Sequence, residues 1–281
     1  MFKALILILL TLFFTPVDAY FANKPPSQGI IEEIFSLTNQ EKNISSIHNL
    51  IFKNIKQSQT AAINVRASRQ ADKIAHVVFS QSSLYESLIQ SLHLTSTPDE
   101  LKSAKKLLKL PLVQKMIKLE TKDIVEDIEK TKVIYKKYLK RVKPSQRREK
   151  LIRNWVEKSA HAESVINIQI LIELMVASAI YPELKLYISD IKEYQNTKTA
   201  QQKELLYLKY IYIYRDASDY ELERYLNIMT SKTGHWLTGT LMNAYVVSIQ
   251  QLGLDFFAHI DRSYTPRDNL SNDNHELHVT H

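Results

Sequence analysis

The sequence contains no cysteine. This absence excludes disulfides, zinc sites with cysteine ligands, a thiol nucleophile and acylation at a lipoprotein cysteine. It also fits an oxidising compartment, because an unpaired thiol is a liability there. Glycine is scarce, with 4 residues in 281, and the β-branched residues form no alternating runs. Since strand signals are weak and helix-forming residues dominate, the composition predicts an all-α protein built as a multi-helix array.

The local motifs that mark many enzymes are also missing. The sequence has no glycine-rich phosphate loop, no His-Glu-x-x-His and no nucleophile elbow. Asp99 and Glu100 are adjacent carboxylates, but they stand at a predicted helix start, where negative charge is stabilising. His161 and Glu163 are two residues apart and therefore fall on different helix faces. We assign no catalytic residue, cofactor site or metal site, and favour a protein that is not an enzyme.

Two side-chain clusters have the residue types of ligand sites, but neither is assigned as one. Three histidines near the C-terminus would share one helix face, but in a tail without apolar periodicity they would hold a metal only loosely. They are His275, His278 and His281. Three tyrosines at helical spacing are typical of a stripe packed into a core, with an exposed ligand platform as the alternative. They are Tyr207, Tyr210 and Tyr214.

The N-terminus, "MFKALILILLTLFFTPVDA", has the pattern of a signal peptide. A lysine at position 3 precedes an apolar run of 11 residues, which is short for a membrane span of about 20. Val17 and Ala19 are small residues at the −3 and −1 positions of a cleavage site. We expect cleavage between Ala19 and Tyr20, with an uncleaved anchor as the alternative, and no later membrane span. The chain is therefore expected to be exported, most simply to the periplasm, with extracellular release as the alternative.

The remainder of the chain divides into helical stretches and polar breaks. A polar stretch around Pro144 is the predicted boundary between two halves. Long helices are expected at 145–180, 183–195 and 199–215, and Thr38 with Glu41 has the spacing of a capping box. The predicted organisation is a signal peptide at 1–19, a leader at 20–29, helical modules at 30–143 and 144–260, and a disordered tail at 261–281.

One stretch occurs twice, 121 residues apart. "TPDELKSAKKLLKLPLVQKM" begins at Thr97, and a diverged copy, "SDYELERYLNIMTSKTGHWL", begins at Ser218. Each copy opens with a capping box followed by leucine: Thr97, Glu100 and Leu101, then Ser218, Glu221 and Leu222. The same offset aligns apolar residues of 30–51 with those of 151–172. The hypothesis is an internal duplication; the alternative is chance matching of amphipathic helices.

The two copies resemble a signature of an exported bacterial all-helical family of unknown function. That signature has Glu-Leu, then an aromatic and apolar helix, then Ser-Pro-x-Gly-x-Lys-Met. The first copy keeps Glu100, Leu101, Pro111, Lys115 and Met116, but Leu110 and Val113 replace the serine and the glycine. The second keeps Glu221, Leu222, Ser231 and Gly234, but Lys232 replaces the proline. The resemblance implies an exported helical protein, and the motif residues are expected to form helix corners.

Charge is distributed unevenly along the chain. The formal net charge is +7, yet residues 101–158 alone carry 19 lysines and arginines against 7 aspartates and glutamates. The predicted anion contacts in this belt are Lys136, Lys137, Lys140 and Arg141. The alternative is a solvated helix face, partly neutralised by Asp123, Glu126, Asp127 and Glu129.

These features favour a non-enzymatic exported protein that acts in the bacterial envelope through helical contacts. The expected partners are an envelope protein or an anionic lipid or glycan surface, and the export pattern disfavours nucleic acid. One alternative is an envelope hydrolase whose carboxylates come from separate helices and leave no local motif. Another is a secreted factor directed at a host.

Overall fold

The computed structural model describes residues 28–61, 65–122, 128–180 and 188–264. Over these ranges the chain forms helices and short connections without a β-strand, which confirms the predicted all-α, multi-helix fold. The α-helices are α1 (Gln28–Leu37), α2 (Gln40–Ala61), α3 (Val65–Val78), α4 (Gln81–Thr95), α5 (Pro98–Leu108), α6 (Pro111–Lys122), α7 (Ile128–Arg141), α8 (Gln146–Lys158), α9 (Ala160–Ile180), α10 (Ile188–Ile213), α11 (Asp219–Met229) and α12 (Lys232–Tyr264). A short 3-10 helix, Tyr214–Asp216, follows α10.

The centre of the core is formed by α9 and α12. α9 is apolar around most of its circumference, as a helix enclosed by others must be, and it packs on α2, α8, α10 and α12. The 33-residue α12 also packs on α3, α4, α5 and α11. As a result, the buried apolar side chains form one continuous cluster from Ile31 to Ile260.

α9 corrects the expectation that no segment after the N-terminus is apolar enough to span a bilayer. Its 18-residue window Glu163–Ile180 passes that test by length and composition, and 61% of the window is buried inside the protein. A core helix of a soluble protein passes the same test, because burial on all sides and immersion in lipid select the same residues. Here the apolar side chains are enclosed by neighbouring helices.

Three predicted helices have different bounds in the structure. The helix expected at 145–180 is two helices, because Ser159 adopts an extended conformation (φ −86°, ψ 131°) between α8 and α9. The helices expected at 183–195 and 199–215 are the single helix α10. Asn196 and Thr197 are only weak helix formers, and no proline or glycine interrupts the backbone hydrogen bonds there. Tertiary packing of α10 on α7, α8 and α9 decides the outcome.

The first corner also differs from prediction, since Thr38 and Glu41 do not form a capping box. The Thr38 hydroxyl donates to a carbonyl oxygen in the last turn of α1, at 2.7 Å, and Asn39 makes the turn with a φ of 52°. The buried Gln40 side chain then donates to Thr38 and accepts from the Tyr245 hydroxyl, at 2.5 Å. These two hydrogen bonds of Gln40 connect the α1–α2 corner to α12.

The ends of the chain need a smaller correction. α1 starts at Gln28, inside the predicted leader 20–29, and α12 continues to Tyr264, inside the predicted tail 261–281. The rest of both segments lies outside the described residues, as do the predicted signal peptide, Ala19 and Tyr20.

Helix ends recur at the offset of 121 residues. α1 and α8 end at equivalent positions, α5 and α11 begin and end at equivalent positions, and α6 and α12 begin at equivalent positions. The residues after α5 and α11 also share their backbone conformation: Lys109 has φ −75° and ψ −4°, and Thr230 has φ −90° and ψ −4°. The local structure of the corner is therefore repeated along the chain.

Several contacts between the halves are reciprocal under this offset. α2 packs on α9, its counterpart; α5 packs on α12, and α11 packs on α6. Helices on either side of residue 144 thus share one core. The division into modules at 30–143 and 144–260, and their origin by duplication, stay predictions.

Candidate functional site

The first helix corner is held by a complete capping box. Thr97 Oγ1 accepts from the Glu100 amide at 3.3 Å, and Glu100 Oε2 accepts from the Thr97 amide at 2.9 Å. Pro98 occupies the first helical turn, where its missing N–H costs nothing. Leu101 follows as a core residue, 2% exposed. Asp99, one of the adjacent carboxylates, is exposed and pairs with Lys102 at 3.5 Å.

The second corner repeats the box and is connected to the first by an ion pair. Ser218 Oγ accepts from the Glu221 amide at 3.2 Å, and Glu221 Oε2 accepts from the Ser218 amide at 2.9 Å. Lys115, in the first copy, donates to Glu221 Oε1 at 2.6 Å. The hydrogen bonds from Lys115 and then from Ser218 lower the pKa of Glu221 to about 2. The completely buried Leu222 anchors this corner in the core.

The turn between the paired helices differs in the two copies. In the second, Ser231 Oγ donates to the Ile228 carbonyl at 2.6 Å and accepts from the Gly234 amide at 3.3 Å. In the first, Pro111 opens α6, and Gln114 Nε2 donates to the Leu108 carbonyl at 2.8 Å. A serine hydroxyl and a glutamine amide thus satisfy carbonyl groups at equivalent corners.

Gly234, in the first turn of α12, lies against the backbone at the end of α11. A Cβ atom at this position would lie 2.4 Å from the Ile228 carbonyl oxygen and 2.7 Å from that of Met229. Only glycine fits such an approach without a backbone shift. The motif residues at both corners therefore hold helix ends together, and their geometry assigns them no chemistry.

The two corners border a shallow groove of about 520 Å³. Three pairs of its lining residues are equivalent under the offset of 121: Ser103 and Arg224, Leu107 and Ile228, and Leu110 and Ser231. The groove thus lies between the two copies of the motif. Its wall mixes hydroxyl, amide and apolar groups with one arginine, Arg224, and this mixture does not indicate a particular ligand.

The basic face of α7 is the most exposed concentration of one charge among the predicted sites. It consists of Lys136, Lys137, Lys140 and Arg141, all exposed. None of the four takes part in an ion pair in the described part of the chain. Of the acidic residues expected to neutralise them, Asp123, Glu126 and Asp127 lie outside the described residues, as does the side chain of Glu129.

The inner face of α7 is fixed to α10 by aromatic packing. Tyr135 is 1% exposed, and its ring centroid lies 5.0 Å from that of Tyr212. Tyr138 meets the same ring edge-on at 5.4 Å, and the Arg215 guanidinium lies 3.9 Å from the ring centroid. Both tyrosines of the belt therefore point inward, and the cations point to solvent.

The outer face of α7 is also partly apolar. Val133 is 65% exposed and Ile134 is 40% exposed, and both share the face with the four cations. Val142, directly after the helix, is 46% exposed. The basic face of α7 therefore also carries exposed apolar side chains.

A polar cluster that the sequence did not reveal surrounds Glu120 of α6. Its carboxylate accepts from the Tyr214 hydroxyl at 2.5 Å and from the Tyr225 hydroxyl at 2.8 Å. Desolvation raises the pKa of Glu120, while the hydrogen bonds from the two tyrosines lower it by a smaller amount. Desolvation also lowers the pKa of nearby Lys209. These four residues come from separate helices, so no local motif could have predicted the cluster.

The hydrolase alternative, with carboxylates from separate helices, stays a prediction. Within the described residues the Glu120 carboxylate accepts hydrogen bonds from two tyrosine hydroxyls, and the charge of Lys209 acts on it electrostatically. The tyrosine stripe belongs to the core: Tyr207, Tyr210 and Tyr214 are at most 6% exposed. The described ranges contain no group of three or more histidine, aspartate and glutamate side chains able to hold a metal ion.

Of the remaining candidates, His161 has a side chain outside the described residues, and Glu163 is exposed on α9. His275, His278 and His281 lie beyond the described part of the chain.

Comparisons with protein-family models, curated proteins and solved structures find no match to this chain. The resemblance to the exported helical family stays a prediction.

Proposed function

We propose that the protein is a non-enzymatic helical interaction protein that binds a polyanionic surface through the basic face of α7. The observation that carries the proposal is the set of four exposed cations on a helix whose opposite face is packed on α10. Such a face attracts anions, while a rigid support reduces the entropy lost on binding. The signal-peptide pattern supports a site of action in the cell envelope, where phospholipids, glycans and acidic proteins carry negative charge.

The charge of the four cations on α7 is large enough to give measurable binding to an anionic surface. A lysine or arginine close to an anionic surface contributes about 1 kcal/mol, so four contribute about 4 kcal/mol, or roughly three orders of magnitude in affinity. Because all four side chains are exposed, salt screens them over a distance of about 8 Å at physiological ionic strength. Binding is therefore expected to weaken steeply with salt.

The test is neutralisation of the basic face to glutamine at all four positions, Lys136, Lys137, Lys140 and Arg141. Binding of the full chain to dextran sulfate and to vesicles with anionic lipid is measured by co-sedimentation across a salt series. The matched control neutralises four exposed cations of the same types elsewhere: Lys56, Arg69, Lys73 and Lys192.

The α7 variant is expected to lose roughly a hundredfold or more in affinity for both probes, and the control variant much less. Equal losses in the two variants would mean that only net charge matters. Unchanged binding in the α7 variant would refute the proposal directly.

A further inference from the structure

We infer that the surface bound by α7 is an anionic phospholipid bilayer, against which α7 lies with Val133 and Ile134 inserted among the headgroups. The inference rests on the proposed function and adds the chemistry of the partner. It begins with the distribution of exposed apolar residues. The structure places eight large apolar side chains at the surface of the described residues, and three of them belong to α7 or follow it directly.

The arrangement of these residues around the helix is specific. At about 100° per residue, the four cations and the two apolar side chains occupy one arc of about 160°. Val133 lies between Lys140 and Lys137 in this projection, near the middle of the arc. The arc opposite it holds Tyr135 and Tyr138, which pack on α10. Val133 is therefore flanked by cations, Ile134 lies at the edge of the arc next to Arg141, and both side chains are exposed to solvent.

This combination distinguishes a bilayer from other polyanions. A soluble glycan or polyphosphate offers charge but no apolar phase, so Val133 and Ile134 would gain nothing from it. A bilayer offers both: phosphate groups for the amines, and the upper acyl region for the branched side chains. Lysine is suited to the boundary between headgroups and acyl chains, because its aliphatic stem can lie along apolar surface while its amine stays with the phosphates.

The size of the apolar contact also sets the type of binding. Two branched side chains bury far less area than an acyl anchor or a membrane-spanning helix. Attachment to the membrane is expected to be peripheral and reversible. The four cations supply the attraction, and Val133 with Ile134 supplies the preference for lipid over other polyanions. An acidic protein partner, which would need a complementary pocket for Val133 and Ile134, is an outcome of the test.

The experiment compares two probes with two matched pairs of substitutions in the full chain. The probes are vesicles of phosphatidylglycerol with phosphatidylcholine and, without lipid, dextran sulfate. The test variant is Val133→Ser with Ile134→Ser. The control is Val77→Ser with Leu94→Ser, which removes two apolar side chains that are 73% and 74% exposed on other helices. All four positions are exposed, so folding is expected to be retained and is checked by thermal melting.

The test variant is expected to bind vesicles about tenfold more weakly while keeping its affinity for dextran sulfate, and the control to keep both. Vesicle binding equal to that of the unmodified chain would overturn the inference, and so would binding to dextran sulfate but not to vesicles. In either case the proposed function would stand if neutralisation of the four cations still abolished binding to dextran sulfate. Failure of that neutralisation would instead overturn the proposed function.

Discussion

Replacement of Gly234 by alanine tests whether the repeated corner depends on close backbone contact. The substitution adds one methyl group, which would lie 2.4 Å from the Ile228 carbonyl oxygen and 2.7 Å from two backbone atoms of Met229. Real Cβ atoms do not approach other atoms this closely. Because the obstacle is backbone, it cannot rotate away as a side chain would, and α11 and α12 must move apart.

The magnitude follows from two opposing contributions. In a helix, alanine is favoured over glycine by about 0.5–1 kcal/mol. Forcing extra volume into a packed site costs about 1–3 kcal/mol. The net expectation for Gly234→Ala is a loss of about 1–2 kcal/mol. Gly239, five residues along the same helix, has nothing within 4 Å of an added Cβ, so Gly239→Ala is expected to gain stability.

Thermal unfolding of the two variants, followed by circular dichroism, measures the difference. A chain of this size loses about 2–4 °C in Tm per kcal/mol, so the variants are expected to differ by about 3–12 °C, with Gly234→Ala the lower. If Gly234→Ala melts at or above Gly239→Ala, the close contact between α11 and α12 is not a constraint. The structural explanation of the motif would then fail.

Three further predictions concern the same corners and the ion pairs beside them. Thr97→Ala and Ser218→Ala are each expected to lower the free energy of unfolding, measured with denaturant, by about 1 kcal/mol. An unchanged free energy at either position would show that the capping box there does not stabilise the fold. Arg148→Met is expected to lose about 3 kcal/mol, because the 13% exposed guanidinium binds a carboxylate and two carbonyl groups; the half-exposed Arg147→Met serves as the near-neutral control. Glu221 has a folded pKa lowered from 4.5 to about 2, so its stabilisation is present above pH 4.5 and lost as the pH falls toward 2. The stability difference between the unmodified chain and Glu221→Gln is expected to narrow over that window, and a constant difference would count against the interaction.

Local signals in the sequence were sufficient for the helix corners. The capping box at Thr97, the proline at 98 and the matching box at Ser218 depend on contacts within one helical turn, and the structure contains both boxes. The same type of signal failed at Thr38, where the hydroxyl bonds backward to α1. The Thr38 hydroxyl can either accept from an amide in the first turn of α2 or donate to a carbonyl in the last turn of α1. Tertiary packing of the buried Gln40 favours the bond to α1.

Helix continuity was decided beyond the local sequence. Ser159 breaks a stretch whose apolar pattern predicted one helix, whereas Asn196 and Thr197 continue a helix that the pattern predicted to break. Intrinsic preferences differ by less than 1 kcal/mol per residue at such positions, less than the packing of a buried neighbour contributes. The long helices α9 and α12 are surrounded by elements from both halves of the chain, so their packing dominates.

The same distinction applies to the candidate sites. The sequence by itself determined the all-α fold, the basic belt and the positions of the corner motifs, since composition and spacing within one turn fix these properties. Only the tertiary structure decided that Tyr135 points inward, that Val133 and Ile134 remain exposed beside the cations, and that Glu120 meets Tyr214 and Tyr225. These outcomes depend on which helix packs against which face, and residues up to 105 positions apart settle that choice.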